Sequence, residues 1–142
     1  MTIPDKLQEI VDGFSMLTRR EKVEALVQYA ESLPPLPERL QGERDKMEPV
    51  PECMTPVFLF GEKQDDGGIQ FHFDIPPQSP TVRGLSAILA NGLNGATAEE
   101  ILAVPADFYA DMKLEEALSF QRLNGFQAVL AHMKQVVTKL LV

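Results

Sequence analysis

After Pro4, the apolar residues Leu7, Ile10, Val11 and Phe14 fall on one helical stripe and predict a first helix ending near Ser15. Thr18 followed by Glu21 is a capping box, in which a hydroxyl and a carboxylate tie off the free N–H groups of a helix start. Val23, Leu26, Val27, Ala30 and Leu33 continue at helical spacing, so a second helix is expected to face inward through these residues and to stop at Pro34. The run Pro34-Pro35-Leu36-Pro37, a charged stretch to Glu48, and then Pro49 and Pro51 read as a rigid connector crossing the molecule. Neither side of it alone would bury a full core, which argues against a domain boundary there. The same prolines match an SH3-type ligand spacing, but a stiff connector is the favoured reading.

The period then changes from helical to two. Val57-Phe58-Leu59-Phe60 is a short apolar run, and Ile69 to Ile75 alternates strictly, with Gly61 to Gly68 between them as the loop of an antiparallel hairpin. The alternation sends Ile69, Phe71, Phe73 and Ile75 into the core and Gln70, His72 and Asp74 to the other face. Met47 to Val50 supply a third, edge strand, where neighbouring prolines are tolerated.

Helices return at Ser79-Pro80, an N-cap and first-turn pair, with Val82, Leu85, Ile88 and Leu89 inward and Asn91-Gly92 as the stop. Thr97 and Glu100 form a second capping box, opening a short helix through Leu102 that stops before Pro105. Ser119 caps the last and longest helix, whose stripe is Leu123, Phe126, Val129, Leu130, Met133, Val136, Val137 and Leu140. The expected architecture is α+β, a small antiparallel sheet of about three strands flanked by helices, with one sheet face covered and residues 1–142 forming a single domain.

Composition narrows the function classes. With 44% hydrophobic residues in 142, the chain can build a core without metal or disulfide staples. A formal net charge of −8 disfavours nucleic acid and anionic membranes, both of which select concentrated Lys and Arg. The first residues lack the basic start and long apolar stretch of a signal peptide, and no segment approaches a bilayer-spanning length. A soluble, cytoplasmic protein is expected.

Cys53 is the only cysteine, so no internal disulfide is available, and it lies between Pro51 and Pro56 just ahead of the first strand. Proline fixes its own φ and biases the residue before it towards extended geometry, which stiffens the thiol's placement. An isolated cysteine is commonly an inert buried hydrophobe, but a packing role would fall more naturally on one of the apolar stripes than on a loop. One cysteine and two histidines distant in sequence do not make a metal site, and no cofactor is expected. His72 reads as an exposed polar residue, and His132, beside the last helix's apolar stripe, is expected to point to solvent. Glu99 and Glu100 are explained by capping and the helix dipole. No Ser-His-Asp order or phosphate-cradling glycine loop stands out.

The motif Val50-x-x-Cys53-x-Thr55-x-Val57-Phe58, then Val82-Arg83-Gly84-Leu85, then Leu118-Ser119-x-x-Arg122-x-x-Gly125-Phe126, resembles the SufE family of sulfur-acceptor proteins over nearly the whole chain. The family's usual pattern is Val-x-Gly-Cys-x-Ser-x-Val-Trp, so Glu52 stands for a glycine, Thr55 for a serine and Phe58 for a tryptophan. An added negative charge beside a thiol opposes thiolate formation. The resemblance implies a fold similar to the IscU-type scaffold. It also implies a relay in which Cys53 accepts sulfur as a persulfide from a pyridoxal-phosphate cysteine desulfurase of the SufS or CsdA kind. The sulfur then passes towards an iron–sulfur scaffold complex such as SufBCD, and the desulfurase is stimulated as its loaded cysteine is cleared. On this reading the chain is an accessory protein, not a stand-alone enzyme.

Such a thiol benefits from a nearby positive charge or helix N-terminus. Arg122, in the first turn of the last helix, is the candidate, either as that charge or as a structural clamp on the Cys53 loop. Asp74, matched to the family's acidic residue after the second strand, is the clamp's expected partner. Met54, Val57 and Leu59 are expected to line an apolar recess that receives the sulfur, with Cys53 tucked inward in the free protein. Two other function classes stand beside the carrier: a thiol-independent adaptor that activates a desulfurase by contact, and an iron–sulfur scaffold, which the ligand count disfavours.

Overall fold

A computed structural model describes residues 3–141. Helix α1 (Asp5–Ser15) buries Leu7, Val11 and Phe14, and α2 (Arg19–Ser32) opens with the complete Thr18–Glu21 capping box. The inward row of α2 differs from the expected one. Lys22, Leu26 and Ala30 are buried at i, i+4 spacing, whereas Val23 and Val27 are 46% and 45% exposed. The reason lies across the interface: a Cβ at Gly84 would sit 2.4 Å from the Leu26 carbonyl oxygen, so α2 lies backbone-close on α3 along the Leu26 row. Lys22 is fully buried, and its Nζ donates to Glu116 Oε1 at 2.5 Å and to the Lys113 carbonyl at 3.0 Å.

The sheet runs β1 (Glu48–Pro49), β2 (Phe58–Lys63), β3 (Ile69–Asp74), antiparallel throughout and in that order. Leu59 opposes Phe73, Phe60 opposes His72, and β1 is a two-residue edge paired to the start of β2. β3 keeps the expected alternation, with Ile69, Phe71 and Phe73 buried. β2 extends further than expected, through Gly61, Glu62 and Lys63, leaving a tight turn in which Gly67 adopts φ 90°. Gly61 serves in the strand because α5 crosses directly above it: a Cβ there would meet Val136 Cγ1 at 2.6 Å.

Helix α3 (Pro80–Leu93) runs past the expected stop at Asn91-Gly92. Gly92 is a packing residue, where a Cβ would lie 2.6 Å from Leu7 Cδ1, and the chain turns at Asn94 and Gly95 instead. Helix α4 (Ala98–Leu102) carries the Thr97–Glu100 box, and α5 (Phe120–Leu140) is capped by Ser119, whose hydroxyl accepts from the Arg122 N–H. α5 packs on β1 and β2, and α3 on β3 and on α5. One apolar cluster joins the sheet's inner face to all five helices, which is the α+β layer arrangement with one sheet face covered by helices. No helix among the described residues is long and apolar enough to cross a membrane.

Candidate functional site

The link from β1 to β2 is a short excursion closed at its base. The Val50 N–H donates to the Val57 carbonyl at 2.9 Å, and both side chains are buried. Between them Pro51, Glu52, Met54 and Pro56 are exposed, while Cys53 turns down onto α5 and is half-buried against the core. The Cys53 N–H returns to the Val50 carbonyl at 3.3 Å, making a turn that aims the thiol at the helix. Its Sγ lies 3.7 Å from the Gly125 carbonyl oxygen, to which the thiol donates. A Cβ at Gly125 would stand 3.3 Å from that sulfur, so the glycine permits the approach.

Burial pushes the Cys53 thiol above its ordinary pKa, the adjacent Glu52 carboxylate pushes it further, and Arg122 pulls it back. The free protein therefore holds a protonated thiol at neutral pH. Arg122 stands where its charge reaches the sulfur, one turn before Gly125 on α5. Asp74 does not pair with Arg122. Its carboxylate accepts from Arg44 Nε at 2.8 Å, and the Arg44 guanidinium lies 4.6 Å from the Phe58 ring centroid. Asp74 opposes Phe58 in the sheet, and the connector brings Arg44 across that outer face. Met54 is 70% exposed and lines no recess, while Val57 and Leu59 are buried in the core beneath the loop.

Two histidines depart from expectation. His132 does not point to solvent: its Nδ1 lies 2.7 Å from Glu48 Oε2 and its Nε2 2.9 Å from Glu52 Oε1, tying α5 to both β1 and the cysteine loop. His72 is largely covered and bonds Glu62, which Arg39 from the connector also engages. A further tie on the loop comes from α3, where Ser79 Oγ donates to Thr55 Oγ1 at 3.3 Å in place of capping its own helix. The available sequence signal for His132 is its position two turns beyond Gly125, on the same side of α5. Among the described residues no group of His, Cys, Asp and Glu is arranged to hold a metal ion.

A thiol at the tip of a tied-down loop, on an α+β layer fold, defines a small protein with a single placed sulfur nucleophile. Residues 8–137 match the SufE family, described as an Fe-S metabolism associated domain. An uncharacterised SufE-like protein of Mycobacterium tuberculosis is 40% identical over 134 residues, covering 94% of this chain and 92% of that protein. The sulfur acceptor protein CsdE of Escherichia coli is 30% identical over 129 residues, 87% of this chain and 84% of its own length. The solution structure of a hypothetical protein from Thermus thermophilus superposes with a TM-score of 0.86 at 32% identity, over 99% of this chain and 98% of that one. The chain belongs to the SufE family.

Proposed function

We propose that this protein accepts the terminal sulfur of a cysteine desulfurase persulfide onto Cys53 and relays it to iron–sulfur cluster assembly. The observation that carries the reading is the setting of Cys53: the sole cysteine, on a loop fixed at its base, with its sulfur against α5 and within reach of the Arg122 charge. Membership of a family that includes a named sulfur acceptor supports it.

The chemistry needs one nucleophile. The Cys53 thiolate attacks the outer sulfur of the donor persulfide, an S–S bond forms on Cys53 as the donor's S–S bond breaks, and the donor cysteine leaves as a thiolate. The outer sulfur keeps its proton throughout, and no external oxidant is consumed. A free thiol with pKa about 8.5 is only a few per cent ionised at neutral pH, and burial with Glu52 lowers that fraction for Cys53. Lifting the loop tip onto a partner removes the burial contribution and brings the sulfur out together. In the closed position the unloaded thiol is partly screened from oxidants by α5. Clearing the donor's loaded cysteine stimulates the pyridoxal-phosphate desulfurase, and an iron–sulfur scaffold complex is the receiver. The chain thus serves as an accessory protein without turnover of its own.

Intact-mass measurement after incubation with a desulfurase and free cysteine tests this. The wild type gains the mass of one sulfur, and Cys53→Ser gains none and loses desulfurase stimulation. A Cys53→Ser variant that still stimulates fully identifies a thiol-independent adaptor instead.

A further inference from the structure

The Cys53 loop carries an attachment to α5 that sulfur transfer alone does not require. The His132 ring and the Glu48 carboxylate are each 12% exposed, whereas Glu52 is 48% exposed. The second oxygen of Glu48 accepts from Lys139 Nζ at 3.0 Å. Burial pushes the Glu48 carboxyl up, but its bonds from His132 and Lys139 outweigh that and hold it below the usual carboxylate range. Its own backbone N–H and His132 do the same for Glu52. Both carboxylates are ionised at neutral pH and can only accept, so a ring bonded to both must donate from both nitrogens, as an imidazolium. The charged groups round the ring are Glu48 from β1, Glu52 from the loop, and Lys139 of α5 behind Glu48. Beyond Glu52 come the Cys53 thiol and Arg122.

We propose that His132 is a positioning residue for sulfur acceptance: held between Glu48 and Glu52, its imidazolium latches the Cys53 loop onto α5, and the latch opens before the thiol is exposed. The inference rests on Cys53 being the acceptor. Glu48 is anchored by the sheet and by Lys139, so the Glu52–His132 contact is the weak link, lying on the movable and exposed side. The buried Glu48 carboxylate has the greater need of a donor, so the ring stays with β1 when the loop lifts away from it.

The test is the rate of Cys53 alkylation by iodoacetamide in the free full-length protein, followed from neutral pH up to the plateau at which the thiol is fully ionised. With the latch, His132→Gln reacts about two- to fivefold faster than wild type, and the gain persists at the plateau. If His132 only neutralises Glu52, the variant is slower, because the bare carboxylate opposes the thiolate; that result, or equal rates, overturns the proposal. Glu52→Gln, a change at an exposed position, keeps the question decidable if His132→Gln folds poorly. If charge alone is at work, this variant moves the rise of the rate to lower pH and leaves the plateau unchanged; if a latch is lost, the plateau itself is higher. Alkylation requires no desulfurase, so an overturned latch leaves the mass-gain test on Cys53 untouched, and a failed mass gain leaves the alkylation result standing.

Discussion

Cys53 Sγ lies 3.7 Å from the Gly125 carbonyl oxygen, with so little room that a single added carbon on Gly125 would approach the sulfur to 3.3 Å. The contact joins the tip of a loop to the first turns of the longest helix, so the state of the loop is written into the surroundings of one sulfur atom.

Gly125→Ala separates loop position from fold stability. Alanine favours a helix interior over glycine by about 1 kcal/mol, and the new methyl requires Sγ to yield by a few tenths of an ångström. The sulfur is the end of a loop side chain and can move. The expected outcome is an unchanged or higher melting temperature together with faster Cys53 alkylation. A loss of more than about 1 kcal/mol in urea unfolding would mean that the loop cannot yield.

Arg122 can be assigned between its two roles by pH dependence. Burial and Glu52 raise the Cys53 pKa and Arg122 lowers it, so wild-type alkylation climbs with pH past the range of an ordinary thiol before levelling. Arg122→Gln leaves the Ser119 cap on the backbone N–H intact and moves this rise further to the alkaline side. Near neutral pH the variant reacts about two- to fivefold more slowly, with the same plateau. Were Arg122 instead a clamp on the loop, its removal would speed the reaction.

Lys22 and Glu116 differ in what each leaves behind. Lys22 is fully buried, whereas the Glu116 side chain is half-exposed, and the Lys22 ammonium holds the Glu116 carboxyl below its usual range. Glu116→Ala strands a buried ammonium with only the Lys113 carbonyl, while Lys22→Met replaces the ammonium with an apolar chain of similar length. Urea unfolding is expected to rank Glu116→Ala as the more damaging of the two. Lys22→Ala, which also opens a cavity, is expected to cost about 2–3 kcal/mol. Because the folded Glu116 pKa is lowered, this pair's contribution is present above the unfolded carboxylate value and disappears as pH falls through the folded one. The wild type should accordingly lose its advantage over Lys22→Met in acid.

What is legible in the chain and what is not divides along physical lines. Capping boxes are local chemistry, and both Thr18–Glu21 and Thr97–Glu100 form as their spacing requires. The alternation from Ile69 survives because one sheet face must be dry. The α2 row and the length of β2 are set by close approach of other elements at Gly84 and Gly61, and glycine spacing alone does not reveal which backbone will arrive. At the candidate site, the prolines around Cys53 and the helix turn of Arg122 single these two residues out as candidates, and the structure brings the Arg122 charge within reach of the Cys53 sulfur. Asp74, by contrast, is taken by Arg44, which a proline-rich connector carries across the sheet, and the Glu48–His132–Glu52 group draws on three separate parts of the chain. Such groupings depend on tertiary orientation, which local pattern does not encode.

Ser79 and Thr18 occupy equivalent N-cap positions but do different things with their hydroxyls. Thr18 accepts from the Glu21 N–H, and Thr18→Ala is expected to cost about 1 kcal/mol while leaving Cys53 reactivity in the native state unchanged. Ser79 makes no cap bond and donates instead to Thr55 beyond the cysteine, with Pro80 beginning the helix. Ser79→Ala should therefore cost less than about 0.5 kcal/mol, because no helix N–H loses a partner. It should instead raise the alkylation rate of Cys53, since Thr55 loses its tether to α3. Urea unfolding and alkylation measured on both variants should give opposite patterns: stability lost without reactivity gained for Thr18, and the reverse for Ser79. If Ser79→Ala loses as much stability as Thr18→Ala and leaves the thiol equally protected, its hydroxyl serves the helix and not the loop.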